Sequence, residues 1–209
     1  NKKPCLVDSS NVGHCLFSGI IKPEYAEFVI KKLMSPEMFT GWGIRTLSSS
    51  AVRYNPMSYH NGSVWPHDTA MIAYGMAKYG YNNEVLKVVK GLFDASLFLE
   101  LQRLPELFCG FTRRKGEGTT AYPVACSPQA WSVAAVFLLI EAMLQIEINA
   151  TTKSILFKNP QLPDYIDHLK MQNIKLSTEQ ANINLHKYNN DVGINIINKP
   201  TDWMVLVYK

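Results

Sequence analysis

Two stretches of this chain are apolar on every side. The segment that opens at Trp65-Pro66 runs through Ala70, Met71, Ile72, Ala73, Tyr74, Gly75, Met76 and Ala77 to about Tyr79, and the segment that opens at Ser127-Pro128 runs from Gln129-Ala130-Trp131 to Leu144. Proline suits the first helical turn, where its missing N–H costs little. A helix with no wet face has to be an inner helix. The other long helical segments are amphipathic. Residues 9–18 read as a short helix stopped by Gly19. Pro23 opens a helix that places Tyr25, Phe28, Val29 and Leu33 on one face and Lys31 and Lys32 on another. Asn82 or Asn83 caps a fourth helix, to about Gln102, with Val85, Val88, Val89 and Leu92 inward. Inner and outer helices therefore alternate, the pattern of helical hairpins in two layers.

After Gln145 the pattern changes. Ile146–Phe157, Tyr165–Leu176, Ala181–Tyr188, Val192–Ile197 and Trp203–Tyr208 are short and rich in β-branched residues. Turn signals separate them at Asn149-Ala150-Thr151, Asn189-Asn190-Asp191 and Asn198-Lys199-Pro200-Thr201. Asn182 to His186 alternates with period two, as a half-buried strand does. The expected organisation is a mainly α domain over residues 1–146 and a small antiparallel β unit over 147–209.

An apolar fraction of 47% and a charged fraction of 18% suit a globular chain with a sizeable core. The net charge of +4 is mild, and its densest basic runs, Lys31-Lys32 and Arg113-Arg114-Lys115, are too short to argue for nucleic acid. Cys5, Cys15, Cys109 and Cys126 show no metal-ligand or redox spacing. The Asn1–Cys5 stretch leads into no long apolar run, and Ala130–Ile140 is shorter than the roughly 20 residues of a membrane span. The expectation is a soluble cytoplasmic protein without membrane partners.

The chemistry concentrates in two places. Gly41-Trp42-Gly43-Ile44-Arg45-Thr46 and Tyr54 to Thr69 crowd rings, amides, imidazoles, an arginine and a carboxylate into loops ahead of a helix. Aromatic faces stack on pyranose rings, while amides and charged groups bond hydroxyls. Trp42 and Trp65 would equally suit a core, Asp68 the first turn of its helix, and His60 and His67 ordinary hydrogen bonding. His14 reads as a core histidine. The second place is Leu104-Pro105-Glu106-Leu107-Phe108, where a carboxylate sits among apolar neighbours. Such a carboxylate is either paired or placed for a purpose, because isolated burial of charge is costly; a salt-bridging, helix-end glutamate is the other reading.

Ser10-Asn11-Val12-Gly13-His14, Gly41 to Thr46, Tyr59-His60-Asn61-Gly62-Ser63-Val64-Trp65-Pro66-His67-Asp68, Leu104-Pro105-Glu106-Leu107 and Ser127-Pro128-Gln129-Ala130-Trp131 occur together and in order. This text resembles the C-terminal half of bacterial amylo-α-1,6-glucosidases, the glycogen debranching enzyme-like glycoside hydrolases, over about residues 2–145. The resemblance implies part of an (α/α)6 barrel and hydrolysis of an α-glucosidic bond with inversion, without metal or cofactor. It implies Glu106 as general base, and Trp42, Arg45, Tyr59, His60, Asn61, Trp65, Asp68, Gln129 and Trp131 as residues that line the pocket or orient its loops. The substrate would be an α-glucan or oligosaccharide. The general acid is expected upstream of Asn1, so that this chain would be a fragment, pairing with a missing half or with itself through exposed inner-helix flanks. A binding module that holds α-glucan without cutting it, and a structural assembly domain, are the competing readings.

Overall fold

The computed structural model of the chain describes residues 5–189 and 191–209. Asn1–Pro4 of the N-terminal stretch and Asn190 of the expected turn lie outside the described residues. The chain divides into two compact units, Asn1–Ile140 and Glu141–Lys209. The division falls a few residues before the boundary expected near 146, inside the last helix.

The first unit begins with α1 (Asn11–Ser18), closed by Gly19 in the left-handed region at φ 74°. Helix α2 (Pro23–Leu33) opens on proline, with Glu24 in its first turn and Lys31 and Lys32 in its last, each favourable to the helix dipole. Its buried side differs from the expected one: Ala26, Ile30 and Leu33 point inward, whereas Tyr25 and Phe28 are exposed. Helix α3 (Pro66–Lys78) is the inner helix its composition requires, with nine of its 13 residues buried. It packs against α1 on one side and α4 (Asn82–Ser96) on another. The α1–α3 approach is backbone-close, since a Cβ on Gly13 would lie 2.4 Å from Ile72 Cγ1 and one on Gly75 2.6 Å from the Phe17 nitrogen.

Helix α4 ends at Ser96, not near Gln102. Leu101 and Gln102 take positive φ, 51° and 57°, which no helix continues through. Helix α5 (Ala130–Leu144) starts two residues after Pro128. It buries Ser132, Ala135 and Leu139 but leaves Trp131, Val133 and Phe137 exposed, so it is wet along one apolar side. Between the helices, single antiparallel bridges tie Arg45 to Val64, Val64 to Phe108 and Phe108 to Ala121. These four chain segments lie side by side, and Val64 and Phe108 are fully buried in them. That ladder brings the loops before α3 next to the Leu-Pro-Glu segment.

The second unit holds six strands in two three-stranded sheets. The expected strand Ile146–Phe157 is a hairpin instead, β1 (Ile146–Asn149) and β2 (Ser154–Lys158). Asn149 Oδ1 accepts from the Thr151 and Thr152 amides at 2.9 and 3.0 Å and turns the chain. Strand β6 (Met204–Tyr208) joins β2 in parallel, Ser154 opposite Met204. The unit is thus mixed rather than wholly antiparallel. Strands β3 (His168–Leu176), β4 (Glu179–Tyr188) and β5 (Asp191–Asn198) form an antiparallel meander. Ala181, Ile183 and Leu185 alternate into its buried face as the period-two pattern requires. Among the described residues no helix is long and apolar enough to cross a membrane.

Candidate functional site

Glu106 owes its place to three local restraints. Pro105 keeps Leu104 extended. The Glu106 amide donates to the Cys126 carbonyl at 2.8 Å, and Ser132 Oγ, in the first turn of α5, donates to the Pro105 carbonyl at 2.6 Å. The residue is 8% exposed. Its carboxylate is met by neutral donors: the Tyr59 hydroxyl donates to Oε1 at 2.5 Å and the Cys126 amide to Oε2 at 3.1 Å. The Tyr59 bond, with help from Cys126 and from the field of His67, holds the carboxyl below its ordinary range even though burial pulls the other way. The same bond pushes the Tyr59 phenol up to about 12. A carboxylate in this setting is ionised at neutral pH and tethered at both oxygens. Each oxygen keeps a further lone pair for an incoming donor.

Rings surround it. Tyr59 meets Trp65 edge to face at 4.8 Å, His60 at 4.7 Å and Tyr122 at 5.6 Å. Trp65 in turn meets Trp131 and His67 edge-on, both at 5.7 Å, and lies parallel to His60 at 6.1 Å. His67 stacks flat on Trp131 at 4.1 Å. The Trp65 indole N–H donates to Ser63 Oγ at 3.0 Å and the Tyr59 carbonyl at 3.2 Å, which fixes its ring. Trp131, 41% exposed, and His60 are the exposed members. Tyr59, His60, Trp65 and Trp131 form one ring cluster, joined to Glu106 through the Tyr59 hydroxyl.

Asp68, in the first turn of α3, is buried, and its Oδ1 lies 2.5 Å from His14 Nε2. The bond to Asp68 raises the His14 pKa, whereas burial lowers that of His67. Among the described residues, the buried Asp68 Oδ2 and His67 Nδ1 meet no hydrogen-bond partner.

The other expected pocket residues serve differently. Arg45 is 2% exposed and is committed to the protein: Nε donates to the Gly110 carbonyl at 2.8 Å, Nη1 to those of Pro36 and Glu37 at 2.9 and 3.1 Å, and Nη2 to Thr112 Oγ1 at 2.8 Å. It ties the loops of residues 36–37 and 110–112 together. Trp42 is 2% exposed, with the Arg113 guanidinium 4.3 Å above its ring and Phe98 at its edge. It lines a separate hollow of about 320 Å³ with Met57, Phe111 and Thr120, and it stands outside the ring cluster. Asn61 and Gln129 act through their backbones, the first accepting from the Asn55 amide and the second starting α5 by accepting from Ser132 and Val133. Tyr122 meets Tyr59 without any sequence signal, and His14, which ends the Ser10–His14 motif but reads as a core histidine, meets Asp68 instead. Among the described residues no group of three or more His, Cys, Asp and Glu is placed to hold a metal ion.

Against known proteins, residues 9–104 match the model of the mannosylglycerate hydrolase MGH1-like glycoside hydrolase domain. Glu106 lies just beyond the matched stretch. A crystal structure of an uncharacterized conserved protein from Thermus thermophilus is similar at 20% identity and a TM-score of 0.48, covering 66% of this chain and 31% of that one. The chain thus spans less than a third of that protein. No curated protein matches. The domain match supports a glycoside hydrolase family for this chain, without singling out the amylo-α-1,6-glucosidases.

Proposed function

We propose that the chain contributes the general base and part of the sugar pocket to an inverting α-glucan hydrolase of amylo-α-1,6-glucosidase type, built on part of an (α/α)6 barrel. One observation carries this reading: an ionised carboxylate, tethered at both oxygens, is bonded to a member of an aromatic cluster whose Tyr59, His60, Trp65 and His67 lie within a glycoside hydrolase domain match. Glu106 draws a proton from a water that attacks the anomeric carbon. A carboxylic acid on the opposite face protonates the leaving oxygen, about 6.5–9.5 Å from the base so that the water fits between. Tyr59 and the Cys126 amide keep Glu106 from turning away and keep it deprotonated before the water arrives. Trp65 and Trp131 offer faces and edges for the apolar side of the ring. Water is the nucleophile, so the reading needs no cofactor.

The name of the matched family favours a second reading, hydrolysis of mannosylglycerate. The two are separated by offering the enzyme an α-1,6-linked glucan and mannosylglycerate and following the first-formed sugar by NMR. The expected result is β-glucose released first from the glucan. Release of mannose alone supports the second reading, and α-glucose released first contradicts an inverting base.

A further inference from the structure

Strands β3 and β4 pair in a register that sets His168 directly opposite His186. Residues opposed in this way share one face of the sheet, with Cβ atoms about 4.5–5.5 Å apart. The two imidazoles meet at 76° with centroids 4.7 Å apart, and their Nδ1 atoms lie 2.7 Å from one another. Two neutral rings can hold one proton on that line, one nitrogen donating and the other accepting. Solvent reaches the pair, since His168 is exposed and His186 partly so. On its other side His186 faces Gly193 of β5, where the Tyr188 ring leans over the place a side chain would occupy. Asp164 and Asp191, which flank these strands, are committed to Lys187 and Lys209. Among the described residues no third His, Cys, Asp or Glu joins the two rings in a metal-holding group.

We propose that His168 and His186 chelate a late first-row divalent cation, Ni2+ or Cu2+, through their Nδ1 atoms, with water in the remaining positions. Imidazole suits these ions, and both favour tetragonal geometry, in which neighbouring ligands stand at right angles. Metal–imidazole bonds of about 2.0–2.1 Å at a right angle set the two nitrogens about 2.8–3.0 Å apart, whereas a tetrahedral angle spreads them to about 3.3 Å. The 2.7 Å between the Nδ1 atoms falls within about 0.2 Å of the first span, the tolerance of a metal site. Capture needs the rings to lean so that both lone pairs meet at one point beside the line between them. The proton on that line passes through solvent to Nε2 of the same ring, and neither imidazole changes charge. The β3–β4 ladder holds both rings in register before the ion arrives, so the second bond forms at high effective concentration. The bound ion then joins β3 to β4 in addition to their backbone bonds. The site shares no residue with the Glu106 cluster and stands independently of the glycoside reading.

The test is calorimetric titration of the full chain with Ni2+, which leaves the exposed Cys5 and Cys126 thiols unoxidised. The proteins are the wild type, His168→Gln, His186→Gln and the double variant, each also melted with and without the ion. The wild type is expected to show one site that either single substitution weakens at least about tenfold, with the double variant no worse than the singles, because a chelate is lost with its first ligand. Ni2+ should raise the melting temperature of the wild type and leave that of the double variant unmoved. Melts without the ion should coincide, since both positions lie on the wetted face of the sheet. In the unaltered chain, the imidazole resonances of His168 and His186 should shift or broaden at lower Ni2+ than those of His14, His60 and His67. A loss in only one single variant marks a lone histidine ligand and overturns the chelate. So does undiminished binding in both, a first response at the other three histidines, or a wild type that takes up no Ni2+.

Discussion

Glu106→Gln is expected to reduce turnover of an α-glucosidic substrate by roughly 10²–10⁴-fold, the range for losing a general base. The fold should hardly notice. Glutamine has nearly the same volume, and its amide can present its oxygen to the Cys126 amide and its nitrogen to the Tyr59 hydroxyl, which accepts as readily as it donates. Both native tethers therefore survive in altered form. What disappears is the proton acceptor. The substitution should accordingly lower kcat with little change in KM, the signature of an interaction used only in the transition state. In the wild type, the acidic limb of the pH–rate profile should lie below the ordinary glutamate range, because Tyr59 and Cys126 stabilise the ionised form. Steady-state kinetics on the two proteins check this, and near-normal turnover by Glu106→Gln would take Glu106 out of the role.

Arg45→Met is expected to destabilise the first unit by about 1–3 kcal/mol. Methionine fills much of the space but offers no donor. The carbonyls of Pro36 and Glu37 and the Thr112 hydroxyl, at the protein's partly exposed edge, lose a donor, and the Gly110 carbonyl keeps only the Tyr54 hydroxyl. Each group orphaned in the interior costs about 1–3 kcal/mol, and the losses are not additive. A domain with a margin of about 5–15 kcal/mol feels this strongly. Lysine is no rescue, since a single ammonium cannot reproduce a fork that spans four acceptors in different directions. Gly110 sits only a few residues past Glu106, so loosening this clamp also frees the segment that carries Glu106. Urea melts of wild type, Arg45→Met and Arg45→Lys give the answer. An Arg45→Lys protein that melts like wild type and loses only sugar affinity would show that the guanidinium serves the ligand after all.

The inner helix α3 was legible in the sequence because two signals agree: proline at the first turn and no polar stripe afterwards. The buried face of α2 was not. Tyr25-Phe28 and Ala26-Ile30-Leu33 both repeat at helical spacing, and size favours the aromatics. The fold chose the stripe that carries the small alanine. The end of α4 was hidden because Leu97 to Leu101 continues an apolar pattern through residues whose backbone has already left the helix. The parallel β2–β6 pairing joins segments about fifty residues apart, and no local pattern encodes it. In the site, apolar neighbours marked Glu106 and ring crowding marked Tyr59 and Trp65. Crowding could not separate Trp65, inside the ring cluster, from Trp42, which lies beneath Arg113. His14 looked like core because its partner is on another helix.

The most direct test of the site itself follows the indole N–H resonances of the four tryptophans, Trp42, Trp65, Trp131 and Trp203, while an α-glucan oligosaccharide is added. The account predicts that Trp131 and Trp65 shift in proportion to occupancy while Trp203, in the other unit, stays still. Shifts confined to Trp42 or Trp203, with Trp65 and Trp131 unmoved at saturation, would contradict a glycoside site built around Glu106.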